Sequence, residues 1–174
     1  MPILLTGASG FLGSHIAEQL DLQGVDVRAL VRPTSDVRFL EGLEHVTLAS
    51  GAMDDRDSLL AATDGVDGII HAAGLVKAKT PSDFFRTNEE GTANLLDAVY
   101  QNALDLTRFV LVSSLAVMGP SPDGRPVLSG ATPNPVTYYG RSKLAAERAA
   151  QAVVDSVPIT IIRVTIGIPT SFAI

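Results

Sequence analysis

Short apolar runs of strand type alternate with segments of helical period along the chain, and this alternation is the strongest constraint on its fold. Ile3–Thr6, Val25–Val31, Val46–Ala49, Gly68–His71, Phe109–Ser113 and Ile159–Val164 read as strands. Leu12–Gln23, Arg56–Thr63, Phe84–Ala103 and Tyr138–Val154 read as helices. Leu12, Ile16 and Leu20 form one stripe on the first helix, which Gly24 stops. Leu95, Leu96, Val99 and Ala103 repeat at helical spacing on the third. Such alternation predicts an α/β fold, a doubly wound parallel sheet with crossover helices on both faces. A length of 174 residues predicts one domain over 1–174.

Composition narrows the function classes. A net charge of −6 with no basic cluster argues against nucleic acid and against an anionic membrane surface. With no cysteine there is neither a disulfide framework nor a Cys-based metal site. His15, His45 and His71 show no metal-ligand spacing, so no metal is expected. The start lacks a basic region and its apolar run is soon broken by glycines, unlike a signal peptide. No apolar stretch approaches the roughly 18 residues of a spanning helix, and the cytoplasm is the expected compartment. Between Pro120 and Pro135 lie five of the ten prolines, a loop longer than a connection needs.

The first strand turns into the first helix through Thr6-Gly7-Ala8-Ser9-Gly10-Phe11-Leu12-Gly13. A helix N-terminus favours negative charge, because its N–H groups are unpaired and its dipole points that way. Gly7 suits a tight turn, Gly10 lets backbone approach a pyrophosphate, and Gly13 lets the helix pack on the strand. The spacing is G-x-x-G-x-x-G rather than G-x-G-x-x-G. A turn that merely needs glycine is the plainer alternative.

Taken with four later segments, this turn resembles the short-chain dehydrogenase/reductase superfamily, and its extended branch in particular. The segments are His71-Ala72-Ala73-Gly74, Asn88-Glu89-Glu90-Gly91-Thr92-Ala93-Asn94-Leu95-Leu96, Val112-Ser113-Ser114-Leu115-Ala116-Val117-Met118-Gly119 and Tyr139-Gly140-Arg141-Ser142-Lys143. The resemblance implies an NAD(P)-binding Rossmann fold with strand order 3-2-1-4-5-6. It implies cofactor contacts from Gly7, Ser9, Gly10, Phe11, Leu12, Gly13, Ala52, Met53, His71, Ala72, Ala73, Gly74, Tyr139 and Lys143. It also implies a homodimer, with the helices of Phe84–Ala103 and Tyr138–Val154 packed into a four-helix bundle across an isologous interface.

Tyr139 and Lys143 are four apart, hence on one helix face. A phenol of pKa about 10 is a poor acid–base group at neutral pH. A nearby ammonium favours the phenolate and poises it for proton transfer. The resemblance gives Lys143 a second role on the nicotinamide ribose. Ser113 and Ser114 are strand neighbours and point to opposite faces, so one of them reaches a substrate. Counting back from Gly119 puts Ser114 at the family's catalytic position, donating a hydrogen bond to the reacting oxygen. Ser113 is then expected to bond backbone. Asn88 is expected to hold a helix backbone in place and so support the lysine or a water, a plain interior asparagine being the alternative.

The second strand ends in Arg32, with no acid until Asp36. An arginine there can receive the 2′-phosphate of NADP, whereas an acid would bond the 2′-OH of NAD. NADP is the expected cofactor, with NAD as the alternative if Arg32 is only a solvated charge. Two departures from the family stand out. Ala52 replaces an Asp that normally touches adenine. The segment Arg163–Pro169 looks like a shortened R-P-x-x-x-Y-G-P, after which the C-terminal substrate-binding part is largely absent. The expected activity is hydride transfer between a nicotinamide cofactor and a hydroxyl or carbonyl carbon of a small-molecule substrate. The wording is most like dihydroflavonol-reductase-like and 3β-hydroxysteroid-dehydrogenase-like members. A nucleotide-sugar epimerase or dehydratase, or a non-catalytic NADP-sensing regulator, is the alternative.

Overall fold

The computed structural model describes residues 1–102, 105–121, 124–128 and 130–165. Six parallel strands form one sheet in the order β3-β2-β1-β4-β5-β6. They are β1 (Ile3–Thr6), β2 (Val27–Val31), β3 (Val46–Ser50), β4 (Gly68–His71), β5 (Arg108–Ser114) and β6 (Ile159–Val164). The helices are α1 (Phe11–Leu22), α2 (Arg56–Thr63), α3 (Pro81–Phe85), α4 (Gly91–Asn102) and α5 (Tyr138–Gln151). The order reverses between β1 and β4, both of which pair with parallel neighbours. In a sheet of this kind the crevice at such a reversal, beyond the carboxyl ends of the strands, is where ligands bind.

Period-2 alternation divides the strand side chains between two cores. Leu4, Leu30, Ile69, Phe109 and Leu111 pack with Leu59, Leu95, Val99 and Ala150 from α2, α4 and α5. Leu5, Val27, Ala29 and Val31 pack on the other face with Ala17 of α1 and with Leu40. Helices therefore cover both faces, as the alternation of elements requires.

The expected helix Phe84–Ala103 differs from the structure in one instructive way. The helical run begins at Pro81, where Thr80 caps it reciprocally with Asp83. It then passes through a π-helical turn at Arg86–Glu90 before continuing as α4. Such single turns hold one extra residue and frequently occur at functional sites. β2 starts two residues later than expected, because Val25 donates to Leu20 in closing α1. The last helix stops at Gln151 rather than Val154. Ala103, Pro122 and residues 166–169 of the C-terminal motif lie outside the described residues.

Among the described residues, no helix is long and apolar enough to cross a membrane. No cluster of acidic and histidine side chains among them could hold a metal ion.

Candidate active site and dinucleotide cleft

A cleft of about 500 Å³ opens over the carboxyl ends of β1, β2 and β4. Of the residues expected to meet a cofactor, Gly7, Ser9, Gly10, Arg32, Ala52, Met53, Ala72, Ala73 and Gly74 line it. Phe11, Leu12, Gly13, His71, Tyr139 and Lys143 do not. The walls also include Thr6, Leu30, Val31, Ser35, Asp54, Leu75, Arg86 and Thr87, which the motifs left unmarked. Arg86 and Thr87 reach the cleft from the π-turn, two positions and one position before Asn88.

The turn is built as a cradle. Gly7 has φ +73°, and a Cβ there would come within 2.8 Å of three backbone atoms of Ala72 and Ala73. A Cβ on Gly13 would lie 2.1 Å from the Gly7 carbonyl oxygen, so helix and turn touch backbone to backbone. Around Gly10 the space is open except for that same oxygen at 3.2 Å. No side chain caps α1 at Gly10, which leaves N–H groups of its first turn without an intrahelical or capping partner. These features fit a pyrophosphate. At the far end, Asp36 is turned into an ion pair with Arg38 at 2.6 Å, leaving Arg32 as the cleft-lining charge at the end of β2. The Arg38 guanidinium and backbone hold Asp36 well below the usual carboxylate range, at about 2.

Lys143 stands on α5 and is almost fully buried, at 4% exposure. Its ammonium makes no hydrogen bond among the described residues. A Cβ built on Gly74, a cleft residue, would sit 3.7 Å from Lys143 Nζ and 3.1 Å from Asn88 Oδ1. Burial pushes the lysine down to about 8, against the Glu147 carboxylate, which favours its charge. Tyr139, half-buried in the first turn of α5, has its ring 6.2 Å from that of Phe84.

Asn88 is held from three sides. Its Oδ1 accepts from Leu75 N at 2.7 Å, and its Nδ2 donates to Leu75 O at 3.1 Å and to Ser142 Oγ at 2.9 Å. Ser142 in turn donates to Tyr139 O at 2.8 Å. The asparagine thus ties the loop after β4 to the helix that carries Tyr139 and Lys143.

The two serines divide as the pleat demands, but with different partners from those expected. Ser113 is buried and donates to Glu147 Oε1 at 2.5 Å, a side-chain rather than a backbone acceptor. Ser114 faces the other side and caps a short 3₁₀ turn, accepting from Ala116 N at 3.1 Å. That bond uses an oxygen lone pair and leaves the Ser114 hydroxyl proton available to a reacting oxygen.

His71 lies beneath the cleft, fully buried, between Thr6 Oγ1 (2.6 Å to Nδ1) and Thr92 Oγ1 (2.9 Å to Nε2). Thr92 gives its proton to Asn88 O at 2.6 Å, so it accepts from Nε2–H. Nδ1 is therefore bare and accepts from Thr6, whose oxygen accepts from Ala73 N at 3.2 Å. Burial, and secondarily the Lys143 charge, push this imidazole down to about 3.

A doubly wound parallel sheet with a glycine cradle at its reversal point, and with Ser114, Tyr139 and Lys143 beyond it, defines a dinucleotide-binding protein of the short-chain dehydrogenase/reductase class. The model of the NAD dependent epimerase/dehydratase family matches residues 3–172, and the chain belongs to that family. It is 34% identical over 150 residues to a ceramide reductase of Caulobacter vibrioides, covering 86% of this chain and 42% of that protein. It is 34% identical over 166 residues to a UDP-glucose 4-epimerase of Yersinia pestis, covering 88% of this chain and 48% of that protein. It superposes on UDP-glucuronic acid 4-epimerase from Bacillus cereus, solved with NAD, with a TM-score of 0.79 and 26% identity. That match covers 94% of this chain and 56% of the solved one. The chain thus spans about half the length of the relatives it matches.

Proposed function

We propose that the protein is an NADP-dependent oxidoreductase acting at a carbon that bears a hydroxyl or carbonyl group of a small-molecule substrate. One observation carries the reading: Lys143 is almost wholly buried along its stem, yet its ammonium makes no hydrogen bond among the described residues and is not sealed from solvent, and it lies beside Gly74, on the rim of a cleft floored by the glycine turn. A cation whose stem is packed and whose tip is left open in this way is pre-positioned to receive a polar ligand. The nicotinamide cofactor, when bound, supplies the hydride chemistry. The turn from Gly7 to Gly13 receives its pyrophosphate, Arg32 its 2′-phosphate, and Lys143 its ribose hydroxyls. Ser114 donates a hydrogen bond to the reacting oxygen, and Tyr139 exchanges that oxygen's proton. Asn88 holds the loop and helix in register.

The likeness to a UDP-glucose 4-epimerase favours a second reading, an epimerase or dehydratase using the same three side chains. Retention of Ser114, Tyr139 and Lys143 together speaks against a sensor that binds NADP without turnover. We further propose a homodimer built on the α4 and α5 faces, where Tyr100 and Tyr138 are 59% and 53% exposed, and a cytoplasmic location.

Titration with NADPH and NADH tests the cofactor reading. Arg32→Asp is expected to weaken NADPH about tenfold or more, the loss of a charge-assisted phosphate contact, while sparing NADH. Lys143→Ala is expected to weaken both. An unchanged preference in the first variant, or unchanged affinities in the second, would remove the assignment concerned.

A further inference from the structure

Glu147 lies one turn beyond Lys143 on α5 and is fully buried. Its carboxylate accepts three hydrogen bonds. Arg163 donates to it twice, Nε to Oε1 at 2.9 Å and Nη2 to Oε2 at 2.7 Å, and Ser113 adds its hydroxyl to Oε1. The remaining Arg163 nitrogen, Nη1, meets Met118 Sδ at 2.9 Å. This cluster sits where β5 and β6 face α5. Phe109 and Leu111, like Ile159 and Ile161, point the same way and are apolar; only the last inward residues, Ser113 and Arg163, are polar.

A clamp for three elements would not require charge. Well-packed apolar residues commonly replace buried ion pairs at no loss of stability. What the charge does is reach Lys143. Residues four apart on a helix have Cβ atoms about 5–6 Å apart. With both side chains buried one turn apart, the carboxylate lies within electrostatic reach of the ammonium, and its field favours the charged form of the lysine. A guanidinium in direct contact cancels part of that field.

We propose that Glu147 is a positioning residue for Lys143, and that Arg163 sets how strongly it acts. The carboxylate keeps the buried ammonium charged, and the arginine clamped to it holds the effect in check. The inference rests on Tyr139 and Lys143 being the acid–base pair. Other charged groups on the elements packed against α5 are placed differently. Asp83 and Arg86 are paired with each other, Glu90, Asp97 and Arg108 are exposed, and Glu89 is half-buried. His71, from β4, also feels the Lys143 charge, and burial keeps it neutral.

The chain has three lysines, Lys77, Lys79 and Lys143, so 13C-labelled lysine gives a spectrum in which Lys143→Met assigns the buried one. Titration of its ε-carbon signal reads the ammonium directly. Glu147→Gln keeps the shape and, with its carbonyl oxygen at the Oε1 position, the bonds from Ser113 and Arg163 Nε, but it removes the charge and the bond from Arg163 Nη2. It is expected to lower the Lys143 midpoint by at least about half a pK unit, a threefold loss of proton affinity. Arg163→Met frees the carboxylate and is expected to raise the midpoint by a similar amount. A merely structural cluster behaves otherwise: loosening the site hydrates Lys143, and both variants then drift upward toward the ordinary lysine value. An upward or absent shift in folded Glu147→Gln overturns the proposal. If that variant does not fold, the double variant Glu147→Met, Arg163→Met, which removes both charges and leaves apolar packing, takes its place: a lowered midpoint supports the proposal and an unchanged or raised one overturns it. Failure of both to fold makes the cluster a clamp and overturns it as well. NADPH added to the wild type separates the two levels. A Lys143 signal indifferent to the cofactor counts against the cleft reading, whatever the variants show.

Discussion

Both nitrogens of His71 are engaged by hydroxyl groups, and one of them must stay bare to accept from Thr6. Protonation in the fold would break that bond and bury a charge. The unfolded chain takes the proton near 6.5, the folded one only near 3. As pH falls below 6.5 the unfolded state therefore binds a proton that the native state refuses, and stability drops until about pH 3. The slope is about 1.4 kcal/mol per pH unit, and the whole window is worth on the order of 4–5 kcal/mol. Urea unfolding followed from pH 7 to pH 5, above the ordinary carboxylate range, is expected to show the loss. Flat stability over that interval would mean that the imidazole accepts its proton inside the fold. Lys143 works in the opposite range. Its charged form is penalised at neutral pH, and the penalty is relieved as pH rises from about 8 through the unfolded value of 10.5.

At the scale of elements, the contact of α1 with the turn before it leaves no room for a side chain at Gly13. Gly13→Ala forces a Cβ onto the Gly7 carbonyl and is expected to cost about 1–3 kcal/mol, as overpacking does, and to weaken NADPH by displacing the cradle. Unchanged urea midpoint and affinity would show that helix and turn can separate freely. Much of this layer was legible beforehand. β1, β4, β6 and α2 have the expected bounds, because each is an apolar or periodic run closed by glycine, proline or aspartate. The π-turn was not legible, since it differs from an α turn by a shift of hydrogen-bond spacing from i→i+4 to i→i+5 that no residue pattern here marks. Arg86 and Thr87 reach the cleft by way of that turn and were missed with it. Glu147 read as one more charge on a helix rich in Ala, Glu and Arg. Its partner lies 16 residues away on another element, a pairing that only the tertiary fold creates.

On the scale of the whole molecule, the two-sided core followed from the alternation of elements and the strand order from the family resemblance, whereas association depends on surfaces that neither specifies. The dimer proposed on the α4 and α5 faces is expected to appear in sedimentation at micromolar concentration as twice the chain mass of 18.2 kDa. Tyr100→Glu, placed on the exposed face of α4, is expected to shift it to monomer by burying a charge at an isologous contact, where each substitution counts twice. A wild-type monomer would overturn the dimer, and a dimer indifferent to that change would place the contact elsewhere.

The extra residue carried by the π-turn has a consequence for how this segment can change over time. A point substitution swaps one side chain for another but leaves the number of backbone units between Thr80 and Asn102 the same. Only a deletion could restore a regular spiral, and it would rotate everything on one side of the cut by about 100° relative to the other. Either Asn88 would leave Leu75 and Ser142, or the buried stripe of Leu95 and Val99 would swing off the sheet. What lineage drift must preserve here is a length, and tolerance to replacement along this stretch says nothing about tolerance to shortening.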